Sequence, residues 1–383
     1  MDRKKGEKMV QFGMLLWYEW KKIWRRKSTW ITLSVIVLFS IFMAYMEETE
    51  QKEGRKISGE KINDALLFEM SQAYVDDKQS DAYAAQTGPY LQLQQIVRKM
   101  AGGYESAGTC NVTEKELYEK RYENIVQAWE QYGLTKEEKA YWQEKEDCLQ
   151  KPFTYEYFAA YDRLISMSGV YRVYLFLTFL IAICISGVFT EEHERRTDQL
   201  ILCSKLGRKQ MYFAKIAAGG LFSVVTTTML LLCSVFCSFY LYGTDGFTAI
   251  IQLYAPHYSQ PVTIGQVFFI MAGILFLAAV LTGIFTMVLS ETLRNNLASM
   301  AFVIALLFAA RLIPIPRDLR ILSQAWNLMP INLLKFDAGF WDLRLVPVFF
   351  ARLTSWQFAP ILYFLLVIII VLFGKKIYCG YQM

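Results

Sequence analysis

Charged and apolar positions in this chain are sorted into blocks. Six stretches contain no Asp, Glu, Lys or Arg: Ser28–Met46, Val173–Phe189, Ile216–Gly243, Gly246–Ser290, Asn295–Ala310 and Leu353–Gly374. The hydrocarbon core of a bilayer takes roughly 20 apolar residues per helix, so each stretch can supply one spanning helix. The fourth is too long for one, but Pro256 and Pro261 break its first part. A proline removes a backbone donor and clashes with the preceding turn, so the spanning helix there is expected over 265–290. The fold class predicted is an all-α polytopic membrane protein with an N-terminal interfacial helix, six transmembrane helices and a helical extracellular domain between the first two.

Charge orients these spans. Lys and Arg collect on the cytoplasmic flanks of short loops. The first 27 residues hold nine of them, from Arg3 to Lys27, against Asp2, Glu7 and Glu19. The N-terminus is therefore expected inside. The predicted order is a cytoplasmic segment over 1–27, spans at 28–46 and 169–189 enclosing an outside domain at 47–168, and a cytoplasmic loop at 190–213. Spans at 214–243 and 265–290 then enclose an outside loop at 244–264. A cytoplasmic turn at 291–296 leads to spans at 297–312 and 357–374, which enclose an outside segment at 313–356, and a tail at 375–383 lies inside. Only that last outside segment is basic against the rule.

Composition agrees with membrane insertion and excludes other classes. Hydrophobic residues make up 54% of the 383, with a mean hydropathy of +0.24. The net charge of +5 conceals a split, for Glu47–Arg163 is net −8 and the remainder net +13. A basic excess placed beside spans sets topology and is not a nucleic-acid footprint. Of the seven cysteines only Cys110 and Cys148 share the outside domain. They can form a disulfide or remain two thiols.

The segments between the spans carry their own signals. In Val10–Lys27, Leu16, Trp20, Ile23 and Trp24 recur at helical spacing, flanked by Lys21, Lys22, Arg25 and Arg26. Such a pattern lies in a headgroup layer, or else begins a continuous cytoplasmic helix. In the outside domain Thr113…Glu116 and Thr135…Glu138 fit the capping box, in which hydroxyl and carboxylate each serve the other's backbone N–H. Four or five helices fit in 47–168, with so small a core that packing on a partner copy or on the membrane loops is expected. Pro314, Pro316 and Pro330 punctuate a last outside segment rich in Trp, Leu and Phe, which is expected to form short helices dipping into the outer leaflet.

No catalytic pattern stands out. There is no G-x-x-x-x-G-K-[ST] phosphate loop, no G-x-S-x-G, no H-E-x-x-H and no paired-cysteine metal spacing. The two histidines, His193 and His257, fall on opposite sides of the expected membrane. No carboxylate lies mid-span to couple transport to protons or sodium. Work must then be supplied from elsewhere, and the cytoplasmic loop is the place to receive it. After Phe189 come Glu192, Glu194, Arg195 and Thr197, then an apolar ridge with Leu200 and Leu202, then Arg208 and Lys215. The acids suit a helix N-terminus, and the ridge offers a knob to a partner's groove.

This run resembles the coupling-helix segment of type-2 ATP-binding-cassette (ABC) export permeases. The amphipathic N-terminal helix, the six spans, the short helices before the last span and the domain between the first two are also similar to that family. Arg196 and Lys205-Leu206-Gly207 stand where the family commonly has Gly and a Pro-containing turn. The resemblance implies a permease in the bacterial plasma membrane, both termini cytoplasmic, paired with a second copy or a paralogue and with two ABC ATPase subunits. ATP and Mg would be bound by those subunits, so the chain itself is not an enzyme and holds no cofactor or metal. Its partners would be these proteins and membrane lipids, with no nucleic acid. Glu192, Glu194, Arg195, Thr197, Leu200 and Leu202 would meet the ATPase. Thr226, Thr227, Thr228, Thr282, Thr286 and Ser299 are candidates to line the pathway, although hydroxyls in spans also bond back to their own helix. Without deep charges, the expected cargo is amphipathic or apolar: a peptide such as a lantibiotic, a drug or a lipid-like molecule. The alternative is a membrane-anchored sensor or immunity protein whose outside domain binds a ligand without transport.

Overall fold

A computed structural model of the chain describes residues 2–46, 51–73, 86–102, 112–194, 207–348 and 351–380. Helices α1 (Asp2–Trp24) and α2 (Lys27–Met46) open the chain. A 3-10 turn over Gln51–Ile57 leads to α3 (Asp64–Gln72), α4 (Leu91–Met100), α5 (Glu114–Gln131), α6 (Lys136–Asp147) and α7 (Ala159–Ile165). Next come α8 (Val170–Ile185), α9 (Gly187–Glu194), α10 (Gly207–Tyr242) and the single turn α11 (Ile251–Tyr254). They are followed by α12 (Ile264–Leu293), α13 (Asn296–Leu312), α14 (Arg320–Asn327) and α15 (Pro330–Leu333). A two-stranded antiparallel hairpin, β1 (Val346–Val348) and β2 (Ala351–Leu353), precedes α16 (Ser355–Gly380). Val346 pairs with Leu353 and Val348 with Ala351. The hairpin and two isolated antiparallel bridges, Lys61 with Thr154 and Ile250 with Thr263, are the strand pairing among the described residues of an otherwise helical chain.

Among the described residues five helical segments are long and apolar enough to cross a membrane: Lys27–Met46, Val170–Glu191, Arg208–Tyr242, Ile264–Leu293 and Ser355–Gly380. A further apolar helix, Asn296–Leu312, has 17 residues, about 25 Å at 1.5 Å per residue and the lower limit for a span. Helix α12 is the centre of the bundle, with α8, α9, α10, α13 and α16 packed around it. Small residues allow the closest crossing. A Cβ on Gly283 would sit 2.2 Å from Ser223 Oγ, and one on Gly219 2.1 Å from Met287 Sδ. Apolar lipid gives no hydrophobic drive between helices, so close backbone approach is what holds α10 to α12. By contrast α2 exposes Leu38, Phe42 and Tyr45, as a helix with apolar residues all round does when lipid is its solvent.

The helices start where local chemistry dictates. Thr113 and Glu116 form a complete capping box at α5, Thr135 and Glu138 at α6, and Thr263 and Gln266 at α12. Asn295 caps α13 through Ala298 N, while Arg294, in the left-handed region at φ 52°, turns the chain out of α12. Segment 51–165 packs on 243–263 and 313–354, so all three lie at one end of the bundle. The C-terminal part of α1, helix α9, the first turns of α10 and the last turns of α16 gather at the other.

Candidate functional site

The second end of the bundle forms a tight corner. Arg26, between α1 and α2, donates from Nη1 to Cys184 O at 3.1 Å and from Nη2 to Gly187 O at 3.4 Å. Its guanidinium also lies 2.9 Å from Glu191, which Lys22 approaches to 4.0 Å. A fork of donors suits this task, because one side chain can hold carbonyls of a helix end and a carboxylate together. From the other side Lys215 of α10 donates to Val188 O at 3.1 Å, with its ammonium 5.0 Å from the centre of the Phe189 ring. Lys215 is fully buried, and a buried ammonium needs such partners. Phe189 also meets Tyr378 of α16, with ring centres 5.5 Å apart. Helices α1, α10 and α16 and the junction between α1 and α2 thus grip α9.

The expected coupling residues fall on or beyond that grip. Glu192 and Glu194 lie in the backbone of α9. Arg195, Thr197, Leu200 and Leu202 lie outside the described residues. The N-terminal stripe packs inward: Ile23 is buried, and the Trp24 ring stands 5.3 Å from that of Phe222 on α10. Glu191 belongs to the corner, although the sequence reading passed over it in favour of its neighbours. The pairing of Arg26 with a residue 165 positions away leaves no local signal.

The candidate pathway hydroxyls mostly serve their own helices. Thr226 bonds to Phe222 O, Thr227 to Ser223 O, Thr228 to Val224 O, Thr286 to Thr282 O and Ser299 to Asn295 O. Thr226, Thr227, Thr286 and Ser299 are buried, while Thr228 is exposed. Thr282 both donates to Ala278 O and meets the Tyr174 hydroxyl at 2.8 Å. It borders an intramembrane cavity of about 370 Å³.

The opposite end is joined by buried charges. Arg121 and Glu146 form a bidentate pair at 2.5 and 3.0 Å, with Lys151 2.8 Å from the same carboxylate. Burial raises the Glu146 carboxyl, but the hydrogen bonds and charges of Arg121 and Lys151 outweigh it and hold it below the usual glutamate value. Arg121 Nε then donates to Pro256 O at 2.8 Å. Burial first, and Arg121 second, press the neighbouring His257 below its ordinary value, so it is neutral at physiological pH. Partial burial pushes the hydroxyl of Tyr118, half-buried near this pair, up to about 12. Glu138 caps α6, accepts Leu345 N at 2.8 Å and pairs with Arg320, while Trp142 Nε1 donates to Leu343 O at 2.7 Å. Cys148 is exposed just past α6, and Cys110 lies outside the described residues.

Among the described residues no group of three or more His, Cys, Asp or Glu is placed to hold a metal ion. The arrangement suits the transmission of movement: a gripped loop at one end, a long helix, and a charge-locked domain at the other. A family model described as "ABC-2 family transporter protein" matches residues 14–332. Comparison with curated proteins found no match, and comparison with solved structures found none either.

Proposed function

The chain belongs to the ABC-2 transporter family, and on that premise we propose that it is the permease of an exporter whose energy comes from separate ATPase subunits. Membership makes it a multi-pass membrane component that works with an ABC ATPase. Our reading adds the direction of transport, the topology and the contact. Six helices cross the plasma membrane, Asn296–Leu312 among them, and both termini are cytoplasmic. The loop after Phe189 is the coupling helix. Glu192, Glu194, Arg195, Thr197, Leu200 and Leu202 meet the ATPase, and two permeases enclose the pathway.

The observation that carries this is the grip on α9 by Arg26, Lys22 and Lys215. A loop that merely set topology would need no such anchoring. One whose displacement must move α1, α9 and α10 together does. The absence of charge within the apolar stretches favours an amphipathic or apolar cargo.

The test is to purify the tagged chain from its own membranes in mild detergent and identify the nucleotide-binding subunit that comes with it. Leu200→Asp is expected to release that subunit while leaving the permease monodisperse. A chain that purifies alone, or one whose partner is indifferent to Leu200→Asp and Glu192→Ala, refutes the coupling assignment. A second reading, ligand sensing by 47–168, draws support from a polar cavity of about 560 Å³ bordered by Lys99, Asn124, Gln127, His257 and Trp341.

A further inference from the structure

The intramembrane cavity beside Thr282 has an unusual lining for a transport route. It is bounded by α8, α12, α13 and α16 and roofed by the chain around Leu328–Ile331. Its only side-chain polar groups are four hydroxyls, and each is engaged. Tyr174 bonds with Thr282 at 2.8 Å, Thr178 donates to Tyr174 O at 2.9 Å, Thr282 donates to Ala278 O at 2.8 Å and Tyr363 donates to Leu328 O at 2.8 Å. The rest of the wall is aliphatic or aromatic. A water needs two to four polar partners to stay in a cavity, and apolar cavities remain dry.

A dry void this large strips packing contacts from every wall residue and is strongly destabilising. In a membrane the void has a ready filler. Leu306, Leu362, Leu366 and Ile370, half-exposed on α13 and α16, place the mouth between those two helices. Phe302, Phe308, Leu365 and Ile369 beside them are exposed apolar side chains on the apolar helices α13 and α16, which lipid tails would solvate. At about 30 Å³ for a water-sized group, a 370 Å³ space holds roughly a dozen such groups. That is a linear apolar chain, not a folded peptide.

We propose that this cleft is a resident lipid site in which one acyl chain of a bilayer phospholipid, from the leaflet next to segment 313–354, threads between α13 and α16. The chain packs under Leu328 and against Tyr174 and Tyr363. Its occupant is a structural lipid of each single subunit, separate from any cargo route between two subunits. Lipid composition would then set how firmly the roof over 328–331 sits on α16, to which Tyr363 ties it.

The test uses the full-length chain alone, without ATPase or cargo, in vesicles of phosphatidylethanolamine and phosphatidylglycerol. The vesicles are doped with phosphatidylcholine bearing a mid-chain alkyl diazirine. After irradiation, peptide mass spectrometry reads adducts on tyrosines. Tyr45 and Tyr240 are exposed and serve as reference sites, whereas Tyr174 and Tyr363 are almost wholly buried. Adducts on Tyr174 or Tyr363 are expected alongside those on the reference sites. Ala310→Phe fills the wall from α13. Each displaced methylene lowers occupancy about fourfold, so loss of two or more lowers the cavity-to-reference ratio at least about tenfold. Ala325→Leu, at an exposed position beside the mouth, is a second variant that leaves the fold intact and lowers the same ratio. Adducts confined to Tyr45 and Tyr240 would overturn the proposal, as a second copy covering the cleft would give. Cavity adducts indifferent to both substitutions would overturn it too. Because no ATPase is present, either outcome leaves the coupling assignment untouched.

Discussion

Replacing Glu146 by Gln tests how the domain over 51–165 is fastened to the membrane part. Arg121 is fully buried and Glu146 nearly so, and their fork is bidentate. Glu146→Gln removes the counter-charge of a buried guanidinium and one of its two carboxylate acceptors, leaving a single amide oxygen beside Pro256 O at 2.8 Å and the Phe153 ring at 5.0 Å. Removing one member of a buried pair costs about 3–5 kcal/mol, whereas replacing both members by apolar groups of similar size costs little or nothing. The difference converts to a rise of roughly 10²–10⁴ in the opening constant at 1.36 kcal/mol per decade. Hydrogen exchange of α5 and α6 peptides in detergent micelles reads this directly. The slowest amides should exchange faster by that factor in Glu146→Gln, and most of the protection should return in Arg121→Met with Glu146→Leu. The sign with pH follows from the carboxyl being held below 4.5, its ordinary value. A depressed acid contributes stability above its unfolded pKa and loses it as pH falls through the folded one. Wild-type protection should therefore weaken only below about pH 4.5, and Glu146→Gln should not share that slope. A single substitution that changes exchange less than about threefold, or a double one as labile as the single, would show that the pair is solvated and refute the reasoning.

Other outcomes follow from the same contacts. Arg26→Ala removes a part-exposed ion pair and two carbonyl bonds. Together these are worth about 2 kcal/mol after allowance for solvent, so it should lower the thermal midpoint in detergent by a few degrees and uncouple ATP hydrolysis from transport in the assembled complex; unchanged coupling would argue against the gripped corner. Gly283→Val places a branched side chain where a Cβ already meets Ser223 Oγ at 2.2 Å. Overpacking of about 1–3 kcal/mol is expected, visible as a lower unfolding midpoint, while Gly273→Ala, with nothing within 4 Å, should be neutral or better. Trp142→Phe loses the 2.7 Å bond to Leu343 O and strands a buried carbonyl at about 1–3 kcal/mol; exchange in 343–348 should rise while that in α12 does not.

Five of the six charge-free stretches fall on helices long and apolar enough to cross a membrane, and the sixth on the shorter helix α13, because lipid tolerates no charge along the length of a span. The capping boxes at Thr113 and Thr135 were legible too, since their partners sit three residues away and both form. What escaped was set by distance along the chain. Glu138 reads as a cap, yet it also receives Leu345 N and pairs with Arg320, contacts separated by 207 and 182 positions. The strands β1 and β2 have three residues each, too few for an alternating pattern to register. Arg208 and Lys209 read as loop charges and Lys215 as the opening of the next span, although all three lie within α10. Lys215 reaches back to α9 through a tertiary contact that no spacing rule reports.

The length of α10 gives those scattered contacts a common purpose. Its 36 residues make a rod of about 54 Å, longer than the hydrocarbon core it crosses. At one end Lys215 fastens it to α9. At the other, Gly243 takes φ 78° and turns the chain beneath Arg55, which donates to Tyr242 O at 2.5 Å and pairs with Asp245 at 2.8 Å. A Cβ on Gly243 would meet that guanidinium at 1.6 Å and push it aside, and φ 78° strains any residue other than glycine. Between the two ends α10 crosses α12 at Gly219, packed on Met287, and at Gly283, packed on Ser223. On the proposed coupling, a displacement delivered to α9 would travel along α10 to Arg55 at its other end. Gly243→Ala separates this lever from a passive strut: it should leave the ATPase bound and the corner at Arg26 intact, yet abolish transport by freeing the far end. Transport that survives Gly243→Ala with Arg55→Met would remove α10 from the path of force.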